Sequence, residues 1–139
     1  LVLVHDAVRP CLAPADLDAL IRAAGEDEHG ALLAIPVRDT LKRSGPDGTV
    51  TATEDRTGLW QALTPQCFRL DRLLDALLQA REAGVAVTDE ANAMERLGYR
   101  PRLVEGSSSN IKLTWPGDLP LIAAVLGAGS GMTTGVLQS

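Results

Sequence analysis

The sequence predicts an α/β fold, a sheet with helices packed on its faces, and three observations carry that expectation. Two apolar runs lack polar alternation, Leu1-Val-Leu-Val4 and Ala31-Leu-Leu-Ala-Ile-Pro-Val37, as strands buried on both faces do. Between them lies Leu12 to Gly25, with helical start and stop signals, so the order is strand, helix, strand, the unit of a right-handed parallel crossover. A later stretch, Leu70 to Gly84, repeats leucine at helical spacing.

Each element follows in turn. The first strand runs into His5, Asp6 and Arg9, and Pro10 stops it. Ligands of open α/β sheets sit beyond the carboxyl ends of the strands, so Asp6 and Arg9 are expected at a crevice, a carboxylate for a cation and a guanidinium for an anion. The plainer alternative is a turn-capping Asp beside a surface Arg. The chain opens with Leu in mid-strand, without Met or a preceding turn, and reads as the C-terminal part of a longer protein. In the helix over 12–25, Pro14 suits the first turn, Asp16 the positive end and Gly25 the stop, with Leu17, Leu20 and Ile21 on one face. Glu26 to Gly30 is a polar loop into the second strand.

Arg38 to Thr57 alternates and carries little core. Gly-Pro-Asp-Gly at 45–48, between 39–43 and 49–53, predicts a hairpin. Such a ribbon has no apolar face and is marginal alone, so it is expected to project and pack against a second subunit; the alternative is an ornamental surface hairpin. Leu59 to Leu63 returns to the sheet, followed by Thr64 to Phe68. In the helix over 70–84, Leu70, Leu73, Leu74, Leu77 and Leu78 share one face, and Gly84 ends it. Val85 to Val87 leads to a helix over 88–98 that Thr88 would cap. A short strand over 102–105, a loop over 106–110, the segment 111–116 and a last helix over 118–126 complete the fold. Gly127 to Ser139, rich in Gly, Ser and Thr, is expected to be a disordered tail.

Composition excludes several classes. A chain of 139 residues suits one domain, and aromatics at 3% imply a core of Leu, Ala and Val. There is no apolar run near the ~18 residues of a membrane span. Cys11 and Cys67 have no metal-type spacing and read as reduced thiols of a cytoplasmic protein. A net charge of −5 argues against general nucleic-acid binding, so any anion site must be a local cationic cluster working against the global field.

No Ser/His/Asp or Cys/His arrangement, Gly-Lys-Ser loop or Cys-x-x-Cys is present. Instead, polar residues recur at strand ends: Asp6 and Arg9, Asp39 and Thr40, Thr64, Thr88 and Lys112. Basic residues with interspersed hydroxyls suit a small phosphorylated ligand better than a hydrophobic one.

Five strings then occur in one order: Leu-Val-His-Asp-Ala-Val-Arg-Pro (3–10), Pro-Val-Arg-Asp-Thr-Leu-Lys (36–42), Asp-Arg-x-Gly-Leu-Trp-x-Ala-Leu-Thr-Pro-Gln-Cys-Phe (55–68), Thr-Asp-Glu-Ala (88–91) and Asn-Ile-Lys-Leu-Thr-x-Pro-x-Asp-Leu (110–119). Together they resemble the 2-C-methyl-D-erythritol 4-phosphate cytidylyltransferase family, over residues 1 to about 126. The resemblance implies a Rossmann-like nucleotidyltransferase (GT-A-like) mixed sheet with a projecting β-hairpin dimerisation arm at about 38–57. Residues 1–126 would be the C-terminal part of one nucleotidyltransferase domain. The implied reaction joins CTP to a small polyol phosphate with release of pyrophosphate and with Mg²⁺, in a homodimer built through the arm.

Carried over by position, Asp6 would hold the metal, and Arg9, Thr40, Arg56, Thr64, Thr88 and Lys112 would surround the substrate phosphate. Lys112, Arg56 and Asp6 would be catalytic, and Arg56, at the foot of the arm, suggests a site shared between subunits. Plainer roles stand beside these: a surface arginine for Arg56, a snorkelling strand lysine for Lys112, a helix cap for Thr88. The family's N-terminal half, with the Gly-rich loop and the Arg and Lys that cradle the triphosphate, is absent from these residues, which alone are expected to lack transferase activity. Some members carry an acid just before Asn-Ile-Lys, where this chain has Ser107, Ser108 and Ser109. Cytidylyltransferases for ribitol 5-phosphate share several strings, and a non-catalytic dimerisation and substrate-binding module is the remaining alternative.

Overall fold

A computed structural model describes residues 1–130. Its elements run β1 (Val2–Val4), α1 (Pro14–Glu26), β2 (Ala31–Pro36), β3 (Leu41–Ser44), β4 (Val50–Glu54), β5 (Trp60–Phe68), α2 (Leu70–Glu82), α3 (Glu90–Arg96), β6 (Arg102–Glu105) and α4 (Asp118–Ser130). The main sheet has the order β1-β5-β2-β6, with β5 antiparallel to β1 and β2, and β2 parallel to β6. The sheet is therefore mixed, as the family resemblance implied. β1 and β2 run the same way with α1 between them in sequence, so the parallel connection expected from strand, helix, strand forms, with β5 lying between the two strands.

Alternation on β2 builds the two faces. Leu32 packs with Phe68, Leu73, Ala76, Ala91, Ala93 and Met94 beneath α2 and α3. Its neighbours Ala31 and Leu33 turn the other way, to Leu20, Ala24, Leu63 and Cys67 against α1. Both cysteines are free and buried, and burial raises the Cys67 thiol above its ordinary value.

Three apolar expectations need correcting. β1 is not buried on both faces: Val2 and Val4 pack on the core, whereas Leu1 and Leu3 are exposed, because α1 packs over β2, β5 and β6 and leaves the face of Leu1 and Leu3 uncovered among the described residues. On α1, Leu20 and Ala24 are buried and Ile21 is exposed. On α2 the buried stripe is Leu73, Ala76 and Ala80, while Leu70, Leu74, Leu77 and Leu78 face outward. Residues 73, 76 and 80 keep helical spacing and form one stripe toward the core. Of the five leucines read as one face, Leu73 alone is buried, beside two alanines on the same stripe.

β5 is one nine-residue strand where two pieces were expected. Its ladder with β2 jumps from Leu32↔Gln66 to Ala34↔Ala62, so Leu63, Thr64 and Pro65 stand opposite Leu33. Pro65, which has no N–H, falls where the ladder is already broken, and the bulge turns Thr64 away from strand pairing.

The hairpin forms as expected, with β3 paired to β4 in a separate two-stranded sheet closed by Gly45 N–H donating to the Thr49 carbonyl at 2.9 Å. It prolongs the β2–β5 pair beyond Pro36↔Trp60. The last helix continues past Leu126 to Ser130, so the expected tail begins too early; residues 131–139 lie outside the described residues. No helix among the described residues is long and apolar enough to cross a membrane.

Candidate functional site

The loop after β1 closes as a turn in which the Arg9 N–H donates to the Asp6 carbonyl at 3.0 Å. That turn brings the two side chains together, with Arg9 Nε 3.5 Å from Asp6 Oδ2. At this distance the pair is an ion pair rather than a formed hydrogen bond, and Arg9 Nε stays buried without a hydrogen-bond partner. Arg9 is held instead through Nη1, which donates to the Asn110 carbonyl at 2.8 Å.

Lys112 arrives from the far end of the sequence. β6 delivers the chain to the 106–110 loop, where the Ser107 N–H donates to Asp16 Oδ2 at 2.7 Å; Asp16 thus anchors a loop as well as suiting a helix end. The Leu113 N–H then donates to the Val8 carbonyl at 2.8 Å, laying the 111–113 segment along the loop after β1. Lys112 Nζ ends 3.0 Å from Asp6 Oδ2. The hydrogen bond from Lys112, opposed by partial burial and reinforced by the Lys112 and Arg9 charges, holds the Asp6 carboxyl below the ordinary range.

Thr64 sits at the centre of this junction. Its hydroxyl oxygen accepts from the Asp6 N–H at 2.9 Å and lies 2.9 Å from His5 Nδ1, and its carbonyl accepts from Asn110 Nδ2 at 2.8 Å. Thr88 is placed by Gln66. That buried side chain donates through Nε2 to Asp89 Oδ2 at 3.0 Å and accepts the Ala91 N–H at 2.7 Å, tying the start of α3 to β5. Asp89 is the cap of α3, accepting from the Asn92 N–H, which corrects the expectation for Thr88. Thr88 is left exposed at the wall of the cleft.

Asp6, Arg9, Thr64, Thr88 and Lys112 therefore line one cleft of about 290 Å³. Arg56 and Thr40 do not line it; both are exposed at the base of the hairpin, and the Arg56 guanidinium has no ion-pair partner among the described residues. A larger hollow of about 450 Å³, bordered by Trp60 and Tyr99, is lined by none of the predicted site residues. Sequence reasoning missed His5, Gln66 and Asn110, which fasten the site. Each lies inside a string used for the resemblance, yet the signal weighed there was charge and hydroxyl content, and these three act through amide and imidazole hydrogen bonds.

The donors suit Mg²⁺ sparingly. No group of three metal-ligating side chains exists among the described residues. Asp89 spends both carboxylate oxygens on Asn92 and Gln66, whereas the ion pairs of Asp6 with Arg9 and Lys112 both fall on Oδ2. The Asp6 carboxylate, with the Glu90 side chain also in the cleft lining, fits a cation that takes one or two carboxylates and completes its shell with substrate phosphates and water.

Comparison with known proteins bears on the family and the fold. The family model described as 2-C-methyl-D-erythritol 4-phosphate cytidylyltransferase matches residues 1–128. The chain is 58% identical over 130 residues to the 2-C-methyl-D-erythritol 4-phosphate cytidylyltransferase of Stenotrophomonas maltophilia strain R551-3, covering 94% of this chain and 56% of that protein. It is 60% identical over 118 residues to that of Xanthomonas euvesicatoria pv. vesicatoria strain 85-10, covering 85% and 45%. Among solved structures, a 4-diphosphocytidyl-2C-methyl-D-erythritol synthase superposes with TM-score 0.80 at 48% identity, over 89% of this chain and 55% of that one. The Francisella tularensis 2-C-methyl-D-erythritol 4-phosphate cytidylyltransferase gives TM-score 0.82 at 33% identity, over 88% and 58%. The chain spans about half the length of the curated relatives it matches.

Proposed function

The chain belongs to the 2-C-methyl-D-erythritol 4-phosphate cytidylyltransferase family, and from that premise we propose that the protein transfers a cytidylyl group from CTP to 2-C-methyl-D-erythritol 4-phosphate. A phosphate oxygen of the sugar alcohol attacks the α-phosphorus of CTP, the α–β anhydride bond breaks, and pyrophosphate leaves. The observation that carries this reading is the arrival of Lys112, remote in sequence, beside Asp6 and Arg9 at one cleft with two threonines in its wall.

Phosphoryl transfer leaves the protein little covalent work, so its residues position the reactants and cancel charge. Two phosphate charges at ~4 Å repel by about 4 kcal/mol at an effective dielectric near 20. Lys112 and Arg9 bring cations to the place where that repulsion arises. Their pairing with Asp6 holds both heads in the cleft before substrate arrives. Asp6 would hold Mg²⁺, which when bound neutralises triphosphate charge. Thr88 offers a hydroxyl to the polyol phosphate from the opposite wall.

Arg56 and Thr40 lie on the arm and outside this cleft. They serve the cleft of a second subunit in a homodimer assembled through the β3–β4 hairpin. The exposed, core-poor hairpin and the unpaired Arg56 guanidinium support this reading. The reaction belongs in the cytoplasm, in keeping with two free cysteines.

The test is pyrophosphate release by the complete protein supplied with CTP, Mg²⁺ and 2-C-methyl-D-erythritol 4-phosphate. Turnover is expected with that substrate. Turnover with ribitol 5-phosphate alone, or none with either, would overturn the proposal.

A further inference from the structure

The bonds around Thr64 form a ring whose hydrogens can be assigned by elimination. His5 Nε2 lies 3.0 Å from the Arg9 carbonyl, which can only accept, so Nε2 carries the hydrogen. In a neutral imidazole Nδ1 then bears a lone pair, and the group facing it at 2.9 Å is the Thr64 hydroxyl. The same hydroxyl oxygen already accepts the Asp6 N–H. Its single hydrogen therefore goes to His5 Nδ1. The Arg9 N–H bond to the Asp6 carbonyl closes the ring.

We propose that His5 is a positioning residue, held as the Nε2–H tautomer, that claims the only hydrogen of the Thr64 hydroxyl. Asp6 and Arg9 then owe their placement to a His5–Thr64 lock between the loop after β1 and the β5 bulge. Thr64 has no hydrogen left to give a substrate oxygen, and of the two cleft threonines only Thr88 can donate to the phosphate. The part concerning phosphate rests on the function proposed above; the hydrogen-bond assignment does not.

The lock is read directly by long-range ¹H–¹⁵N correlation spectra of histidine-labelled protein, in the longest form that stays in solution, at a pH where imidazole is neutral. The His5 signals are assigned by their loss in His5→Asn. The expected result is a protonated Nε2 and a bare Nδ1. Thr64→Val should shift the Nδ1 resonance, and Thr64→Ser should restore it. A hydrogen on Nδ1, or an Nδ1 resonance indifferent to Thr64→Val, would overturn the assignment.

With the active protein, His5→Ala should lower kcat/KM by about 10- to 100-fold, as loss of a group behind a ligand does. Thr64→Val should cost a similar factor, and the double variant no more than the worse single one. His5→Asn, which keeps an acceptor near the Nδ1 position, should recover part of the loss. Additive losses in the double variant would mean that Thr64 meets substrate on its own account. Absence of turnover would count against the proposed function alone, because the nitrogen spectra decide the lock without any substrate.

Discussion

At the scale of single residues, the Asp6–Lys112 contact carries the clearest pH signature. Asp6 ionises below its ordinary value of 3.8 mainly because Lys112 donates to it, with Arg9 adding charge. A carboxyl depressed on folding contributes stability that is complete above its unfolded value and fades as pH falls below that value toward the folded one. Asp6 is about one-third exposed (35%), so solvent screening keeps this contribution small. Lys112→Met should move the Asp6 midpoint back up, followed by carboxyl ¹³C chemical shift. An unmoved midpoint would show that Arg9 alone sets it. The same variant should lower kcat by about 10²- to 10³-fold in the active protein, the usual cost of removing one preorganised charge-stabilising group, as seen in steady-state pyrophosphate release. Asp6 was legible because a carboxylate just after an apolar strand stands out, and Lys112 because it lies in a string that carries the resemblance, although it belongs to no strand. His5 and Asn110 were not, because an uncharged hydrogen-bonding role leaves no mark in composition.

At the scale of elements, α2 separates hydrophobicity from burial. Leu73 is 4% exposed and Leu74 is 52% exposed, although both are leucines of one helix. In urea denaturation of this chain, Leu73→Ala should cost about 2–5 kcal/mol, and Leu74→Ala no more than about 0.5 kcal/mol. Equal costs would show that the stripe read from the leucines is the packed one. The junction before β2 is stricter. Gly30 has φ +77°, and a Cβ there would stand 2.3 Å from Phe68 Cδ1 and 2.7 Å from the Cys67 carbonyl. Gly30→Ala combines a left-handed backbone with a clash against a buried ring, and should destabilise by more than about 2 kcal/mol in the same assay. Substitution without loss would mean that β5 can move away from the turn. Hairpin, helices and strands were largely legible, since turn residues and periodicity are local signals. Strand neighbours were not, since pairing is decided by distant chain.

At the scale of the whole molecule, the arm and the free side of β1 lead to different associations. A site shared through the arm predicts that Arg56→Ala and Lys112→Ala chains, each nearly inactive, recover part of their activity when mixed. A mixed dimer rebuilds one intact cleft from two crippled chains. No recovery in verified heterodimers would place the whole site within one subunit. β1 pairs only with β5 and exposes Leu1 and Leu3, an apolar edge of the kind that recruits other strands. Residues 1–139 by themselves should therefore self-associate, and Leu3→Lys should reduce the association in light scattering. Unchanged scattering would assign it to the outward leucines of α2 instead.

By itself the sequence determined the α/β class, the hairpin and the family, whose resemblance grouped Asp6, Arg9, Thr64, Thr88 and Lys112 with Thr40 and Arg56 around one substrate. These follow from short-range spacing and from the order of the five strings along the chain. Only the tertiary structure decided that β5 separates β1 from β2, that Leu73 with two alanines, rather than the run of leucines, faces the core on α2, and that Arg56 and Thr40 stand apart from the cleft. It also decided that His5 and Asn110 hold Thr64 from either side. Those outcomes depend on which distant segments meet, and a residue's burial or hydrogen-bond partner is a property of that meeting rather than of its own type.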